Sequence, residues 1–199
     1  SKEDPDMAAV VREALEEEGV RVVTGAQSKK AGSEGGGKFV IAELDGEEHK
    51  FTASDLLVAL GRTSNNDTLK LENAGVETDK KGYVKVDERM RSSQKHIYGA
   101  GDAVGGYQLT HAAGYEGSIV VSNAIFHLPR KADYTWLPWC TYCQPELASI
   151  GHNERTAGAA GLDYEVRNED FQGNDRALAE GEGRGRLKLL LSKGKPVGV

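Results

Sequence analysis

The stretch His96-Ile97-Tyr98-Gly99-Ala100-Gly101-Asp102 decides how the rest of this chain is read. Ile97 and Tyr98 predict a short strand, two glycines let the backbone turn tightly, and one carboxylate stands at the strand's C-terminal edge. Open α/β sheets bind ligands in the crevice outside that edge, and an Asp there accepts hydrogen bonds from sugar-type hydroxyls. A few residues on, Leu109-Thr110-His111 opens a helix predicted over 110–126, with Thr110 as N-cap and Pro129 as stop. Unpaired N–H groups and the positive dipole end make such a helix start suit partial negative charge. Taken alone, these residues fit a plain turn at Gly101-Asp102 and an ordinary cap at Thr110 better than a ligand site.

Upstream, Asp4-Pro5 predicts a helix start, with Asp4 as N-cap and Pro5 where a missing N–H costs nothing. Met7, Val10, Val11, Ala14 and Leu15 form one apolar stripe, and Gly19 closes the helix. Strands are expected at Val20–Thr24, Lys38–Leu44 and Glu48–Thr52, with a hairpin turn at Asp45-Gly46 and a loose loop at Gly32–Gly37. Asp55–Leu60 shows no alternation and predicts a strand buried on both faces. A loop with a short helical turn follows over 65–75, then strands at Gly82–Val86 and His96–Tyr98. Beyond residue 133 the composition changes. An aromatic strand around Tyr134–Tyr142, a small helix over 153–160 and strands at Asp163–Asn168 and Gly185–Leu191 predict a separate α+β domain. Both ends look cut, since Lys195–Val199 reads as an unfinished strand.

The chain has 199 residues, a net charge of −6 and a sequence pI near 5.5. That balance, without a basic stripe, argues against nucleic acid as a partner. The runs Leu56–Leu60 and Ile119–Val121 are too short to cross a bilayer, so no membrane association is expected. No leader pattern is visible, and two cysteines cannot build a disulfide framework. The expected location is cytoplasmic.

Three segments together carry a family resemblance. Ile97-Tyr98-Gly99-Ala100-Gly101-Asp102, with Leu109-Thr110-His111-Ala112-Ala113 and Glu116-Gly117, resembles the second FAD-binding segment of the pyridine nucleotide-disulfide oxidoreductases. Leu57 to Arg62 resembles that family's return from the NAD(P) domain to the FAD domain, and Pro138 to Gly151 the start of its interface domain. The pattern is closest to the mercuric reductase and dihydrolipoamide dehydrogenase branch. The resemblance implies an α/β fold: part of a Rossmann-like FAD/NAD(P)-binding domain followed by part of an α+β interface (dimerisation) domain. The implied division is 1–64 for the end of the NAD(P) domain, 65–132 for the second FAD segment and 133–199 for the start of the dimerisation domain.

It also implies roles. Asp102 would bond the ribityl chain of FAD, with Gly101 leaving room for it. The backbone of Leu109, Thr110 and His111 would meet the flavin's pyrimidine side. Gly61 would lie near the nicotinamide cofactor, NAD or NADP, where a side chain would collide. The whole protein would be a homodimer passing electrons from NAD(P)H through FAD to a small thiol, disulfide or thiol-bound metal ion. The family's redox cysteine pair, dinucleotide fingerprints and catalytic His-Glu pair match nothing here, so no catalytic residue is assigned and the chain alone is expected to be inactive. No metal site is expected either, because the histidines are scattered.

Cys140-x-x-Cys143 sits in the predicted aromatic strand, where residues three apart lie on opposite faces, about 10 Å apart and beyond disulfide reach. Two free structural thiols are expected. A thiol-redox protein using this pair, or a non-catalytic binding module, stay as alternatives.

Overall fold

A computed structural model describes residues 2–199, which fall into two compact units, residues 9–61 and residues 2–8 with 62–199. Helix α1 (Pro5–Glu17) runs as expected and ends before Gly19, which takes a φ of +87°. In the 9–61 unit, strands β1 (Gln27–Glu34), β2 (Gly37–Leu44) and β3 (Glu47–Ala53) form an antiparallel meander with β2 in the middle. Asp45-Gly46 makes the expected hairpin turn, both residues with positive φ.

Gly35-Gly36 is a second two-residue hairpin turn, φ +59° and +84°, where the sequence predicted a loose loop. The reason lies across the ladder. Phe39 faces Gly32, where an added Cβ would come within 2.7 Å of the ring, so the glycine leaves the aromatic its seat. The polar β1 is an exposed edge strand, and solvent on its surface erases the alternation that would announce it.

Two predicted strands of this unit do not form. Val20–Thr24 and Asp55–Leu60 pair with no strand among the described residues, and Leu57 is 90% exposed. A strand buried on both faces owes its hydrogen bonds and its cover to neighbours, and none flanks 55–60 here.

In the second unit, residues 62–109 are irregular, with 3₁₀ turns at Asn66–Leu69, Leu71–Ala74 and Gly101–Ala103. The predicted strands at 82–86 and 96–98 contract to single bridges, Thr78 to Val84 and Arg91 to Tyr98. Helix α2 (Thr110–Ala124) buries Ala112, Glu116, Ile119 and Asn123, one stripe at helical spacing. Two of those four are polar, and Asn123 near the helix end donates to the carbonyls of Arg89 and Arg130, tying flanking chain to α2.

The predicted α+β region follows. Strands β4 (Trp139–Thr141) and β5 (Leu147–Ser149) pair, and α3 (Glu154–Ala159) starts on an Asn153 capping box. Strands β6 (Glu165–Asp170), β7 (Arg186–Ser192) and β8 (Lys195–Gly198) form an antiparallel sheet, with the unanticipated short helix α4 (Asp175–Glu180) between β6 and β7. Ile150 and Val199 exchange both backbone hydrogen bonds, which ties the end of the chain back to the stretch after β5. Among the described residues, no helix is long and apolar enough to cross a membrane.

Lys188 on β7 is buried and sits at the centre of three carboxylates. Its Nζ donates to Asp6 Oδ1 at 2.6 Å, Glu154 Oε1 at 2.6 Å and Asp4 Oδ2 at 3.3 Å. The Asp4 carboxylate also accepts from the backbone N–H of Glu154, so it caps α3's first turn while standing at the head of α1.

Candidate functional site

The chain enters the site along His96–Ala100 and turns at Gly101, whose φ of +65° is a left-handed conformation that glycine adopts without strain. A Cβ there would stand 2.9 Å from the Cβ of Ala113 on α2. Gly101 therefore makes room for α2. The 3₁₀ turn Gly101–Ala103 is pinned at both ends. Glu116 Oε2 accepts the N–H of Gly101 at 2.6 Å, while Asn66 Nδ2 and the Val84 N–H donate to the Ala103 carbonyl at 2.8 and 2.9 Å.

Asp102 stands at the apex of that pinned turn with its side chain 37% exposed. Its Oδ2 meets Arg62 Nη2 at 2.8 Å, and the arginine is 68% exposed. A solvent-exposed pair of this kind contributes little, so the carboxylate can exchange it for another donor at small cost. The Arg62 backbone is itself held, its carbonyl accepting from the Tyr83 hydroxyl at 2.9 Å.

Thr110 is the first residue of α2 and not its N-cap. The capping position belongs to Leu109, in extended conformation and without a side-chain hydrogen bond to offer. The first N–H groups of a helix have no partner within it, so the uncapped start of α2 presents donors at residues 110–112. The His111 side chain is engaged elsewhere, its Nε2 2.6 Å from the Pro138 carbonyl. A cleft of about 650 Å³ opens beside this helix start, between Tyr107, Gln108 and Leu109 on one side and Trp139, Cys140 and Arg155 on the other.

The turn and the start of α2 are thus brought together within one unit. Gly61 lies in the 9–61 unit; its φ is +110° and an added Cβ would meet nothing within 4 Å. That backbone conformation favours glycine there.

Both cysteines are free. The strand argument covers only Cys140, since β4 ends at Thr141 and Cys143 sits in the following bend, its thiol donating to the Pro145 carbonyl at 3.0 Å. Partial burial, then the neighbouring charges of Glu146 and Cys143, push the Cys140 thiol above its ordinary pKa. That is the wrong direction for a reactive thiol.

Sequence reasoning assigned no role to Glu116, Asn66 or Arg62. Glu116 carried a signal: it is a carboxylate at the buried i+4 position between Ala112 and Ile119.

Residues 1–117 match the family model described as pyridine nucleotide-disulphide oxidoreductase, and residues 137–198 match the dimerisation domain of that family. The chain is 36% identical over 189 residues to a mercuric reductase of Staphylococcus aureus, covering 95% of this chain and 35% of that protein. It is 37% identical over 190 residues to a dihydrolipoyl dehydrogenase of Geobacillus stearothermophilus, covering 96% of this chain and 40% of that protein. The chain therefore spans well under half the length of these curated relatives. The HOCl-induced flavoprotein disulfide reductase RclA of Escherichia coli superposes with a TM-score of 0.88 at 26% identity, over 99% of this chain and 45% of that one. LpdA of Mycobacterium tuberculosis gives 0.90 at 24% identity over 100% of this chain and 43% of its own, a likeness of fold alone. The architecture is accordingly an α/β dinucleotide-binding segment followed by part of an α+β dimerisation domain. With one family's two domains matching in sequence order along nearly all of its length, the chain belongs to the pyridine nucleotide-disulphide oxidoreductases.

Proposed function

We propose that the whole protein is an FAD-dependent oxidoreductase that passes electrons from NAD(P)H through FAD to a dithiol, disulfide or thiol-bound metal acceptor. This chain contributes the later flavin-binding segment and the start of the dimerisation domain, divided as 1–64, 65–132 and 133–199. The residues fit the cofactor. A half-exposed carboxylate stands on a turn fixed at both ends, next to an uncapped helix start and an open cleft. FAD, when bound, supplies a carrier for two electrons. Asp102 accepts a hydrogen bond from a ribityl hydroxyl, giving up Arg62. The N–H groups at the start of α2 would face the flavin ring and favour negative charge there, through hydrogen bonding and the helix dipole. Gly61 serves the nicotinamide side, with NAD or NADP as the electron donor.

The pinned Gly101–Ala103 turn with Asp102 at its apex is the observation that carries this reading. A hydrogen bond to a charged acceptor contributes about 1.5–3 kcal/mol, so Asp102→Ala in the full-length protein weakens FAD by about ten- to a hundred-fold. Asp102→Asn keeps one acceptor oxygen and loses less. The melting temperature of the apo-protein stays within a degree or two (about 0.5 kcal/mol) for an exposed side chain. If the Ala variant holds FAD like the wild type, or its apo-protein collapses, Asp102 is a turn residue and the assignment fails.

The dimerisation-domain match supports a homodimer through residues 133–199. A cytoplasmic location is part of the proposal and rests on the sequence alone. Light scattering of the full-length protein at micromolar concentration tests the first point, and a monomer there overturns it.

A further inference from the structure

A carboxylate that is 2% exposed is costly to bury, and among the described residues no lysine or arginine pairs with Glu116. Its two oxygens are divided between two neutral donors. Oε2 takes the Gly101 N–H at 2.6 Å and Oε1 takes the Tyr134 hydroxyl at 2.7 Å. Such charge-assisted bonds are shorter and about twice as strong as neutral ones, and the carboxylate cannot rotate without surrendering one of them. Tyr134 is itself fixed, its ring 5.2 Å from that of Tyr107 and 6.0 Å from that of Tyr115. Burial, then the bond to Glu116, hold the Tyr134 hydroxyl in its protonated, donating form far above neutral pH.

The turn that receives this bond is the one carrying Asp102. We infer that Glu116, oriented by Tyr134, is a positioning residue for FAD: it fixes the left-handed Gly101 turn so that Asp102 is aimed before the cofactor arrives. The inference rests on the reading of Asp102 as a flavin ligand. It also ties the cofactor turn to Tyr134, five residues ahead of β4 and just before the dimerisation-domain match.

The chemistry of a glutamine substitution makes this testable. In Glu116→Gln the amide oxygen still accepts from Gly101, and the amide nitrogen donates to Tyr134, whose hydroxyl turns to accept. With Tyr134→Phe added, that nitrogen is buried without an acceptor, and the side chain is driven off the turn. The experiment measures the FAD dissociation constant by flavin fluorescence and the apo-protein melting temperature in the full-length protein, with Asp102→Ala alongside. Glu116→Gln and Tyr134→Phe each stay within about threefold of wild type for FAD. Glu116→Ala and the Gln/Phe double variant weaken FAD by about ten- to fifty-fold, with the loss measured on folded apo-protein. A residue that only stabilised the fold would lower the melting temperature and leave the affinity of the folded fraction unchanged. If Asp102→Ala binds FAD normally, the site reading itself falls, and this inference with it. If Asp102→Ala is weak but Glu116→Ala binds like wild type, only the positioning role is overturned. Should Glu116→Ala not fold, the comparison of Glu116→Gln with its Tyr134→Phe double decides: equal FAD affinity in the two refutes the role.

Discussion

Replacing Lys188 by methionine keeps the length of the side chain and removes the cation that pairs with Asp4, Asp6 and Glu154. Lys188 and Asp4 are each 5% exposed, while Asp6 and Glu154 are 41% and 42% exposed. Breaking a buried pair by deleting one partner costs about 3–5 kcal/mol, and because two of these three carboxylates reach solvent the lower end applies, about 3 kcal/mol. For a protein of this size that lowers the melting temperature by roughly 6–12 °C. The pH dependence follows from the two shifted groups. Burial works against the Lys188 ammonium, but hydrogen bonds to Asp6, Glu154 and Asp4 outweigh it and raise the pKa, so this stabilisation is complete below the unfolded value of about 10.4 and disappears as pH rises past the folded one. Burial likewise opposes the Asp6 carboxylate, yet the Lys188 bond holds it below its usual range, a contribution present above about pH 4 and lost as pH falls through the folded value. In Lys188→Met the hydrogen bond that held the Asp6 carboxylate below its usual range is gone, and its repulsion with the Asp4 and Glu154 carboxylates, whose oxygens lie within 4.8 Å of it, is relieved as acid neutralises it. Urea unfolding of both proteins at pH 7 and pH 4 should therefore show a deficit that narrows toward pH 4, and Asp4→Asn in the Lys188→Met background should recover part of it. A deficit under about 1 kcal/mol at pH 7, or one equal at both pH values, would refute the argument.

Gly35→Asn should be close to neutral, whereas Gly35→Val should cost about 1–2 kcal/mol, because the turn needs a positive φ that a β-branched residue resists; equal melting temperatures for the two would contradict the hairpin assignment. Cys140 should alkylate slowly at pH 7 and accelerate only above the ordinary thiol range, since burial disfavours its thiolate. Both thiols should titrate in denaturant without reductant, and a mass two protons low would show that they had bridged.

The parts of this protein that the sequence by itself determined are those whose partners lie a few residues away. Asp4-Pro5 followed by a stripe ending at Gly19 specified α1, Asp45-Gly46 specified a hairpin, and the stretch from Asn153 specified the short helix α3. Motif order was equally local, and three short segments in register were enough to indicate the family. The tertiary structure decided everything that depends on a distant partner. The polar β1 exists because β2 lies beside it, and Asp55–Leu60 is no strand here because nothing does. Gly101 needs to be glycine on account of Ala113, and Asp102 is held out by Glu116 and Asn66, contacts spanning 15 and 37 residues. Lys188 finds Asp4 across 184 residues. Periodicity and capping are written within one turn of helix or one hairpin, whereas a hydrogen bond between remote side chains leaves no periodic trace. A buried carboxylate on an apolar stripe, as at Glu116, announces that a partner exists, and only the folded chain can say that it is the backbone of Gly101.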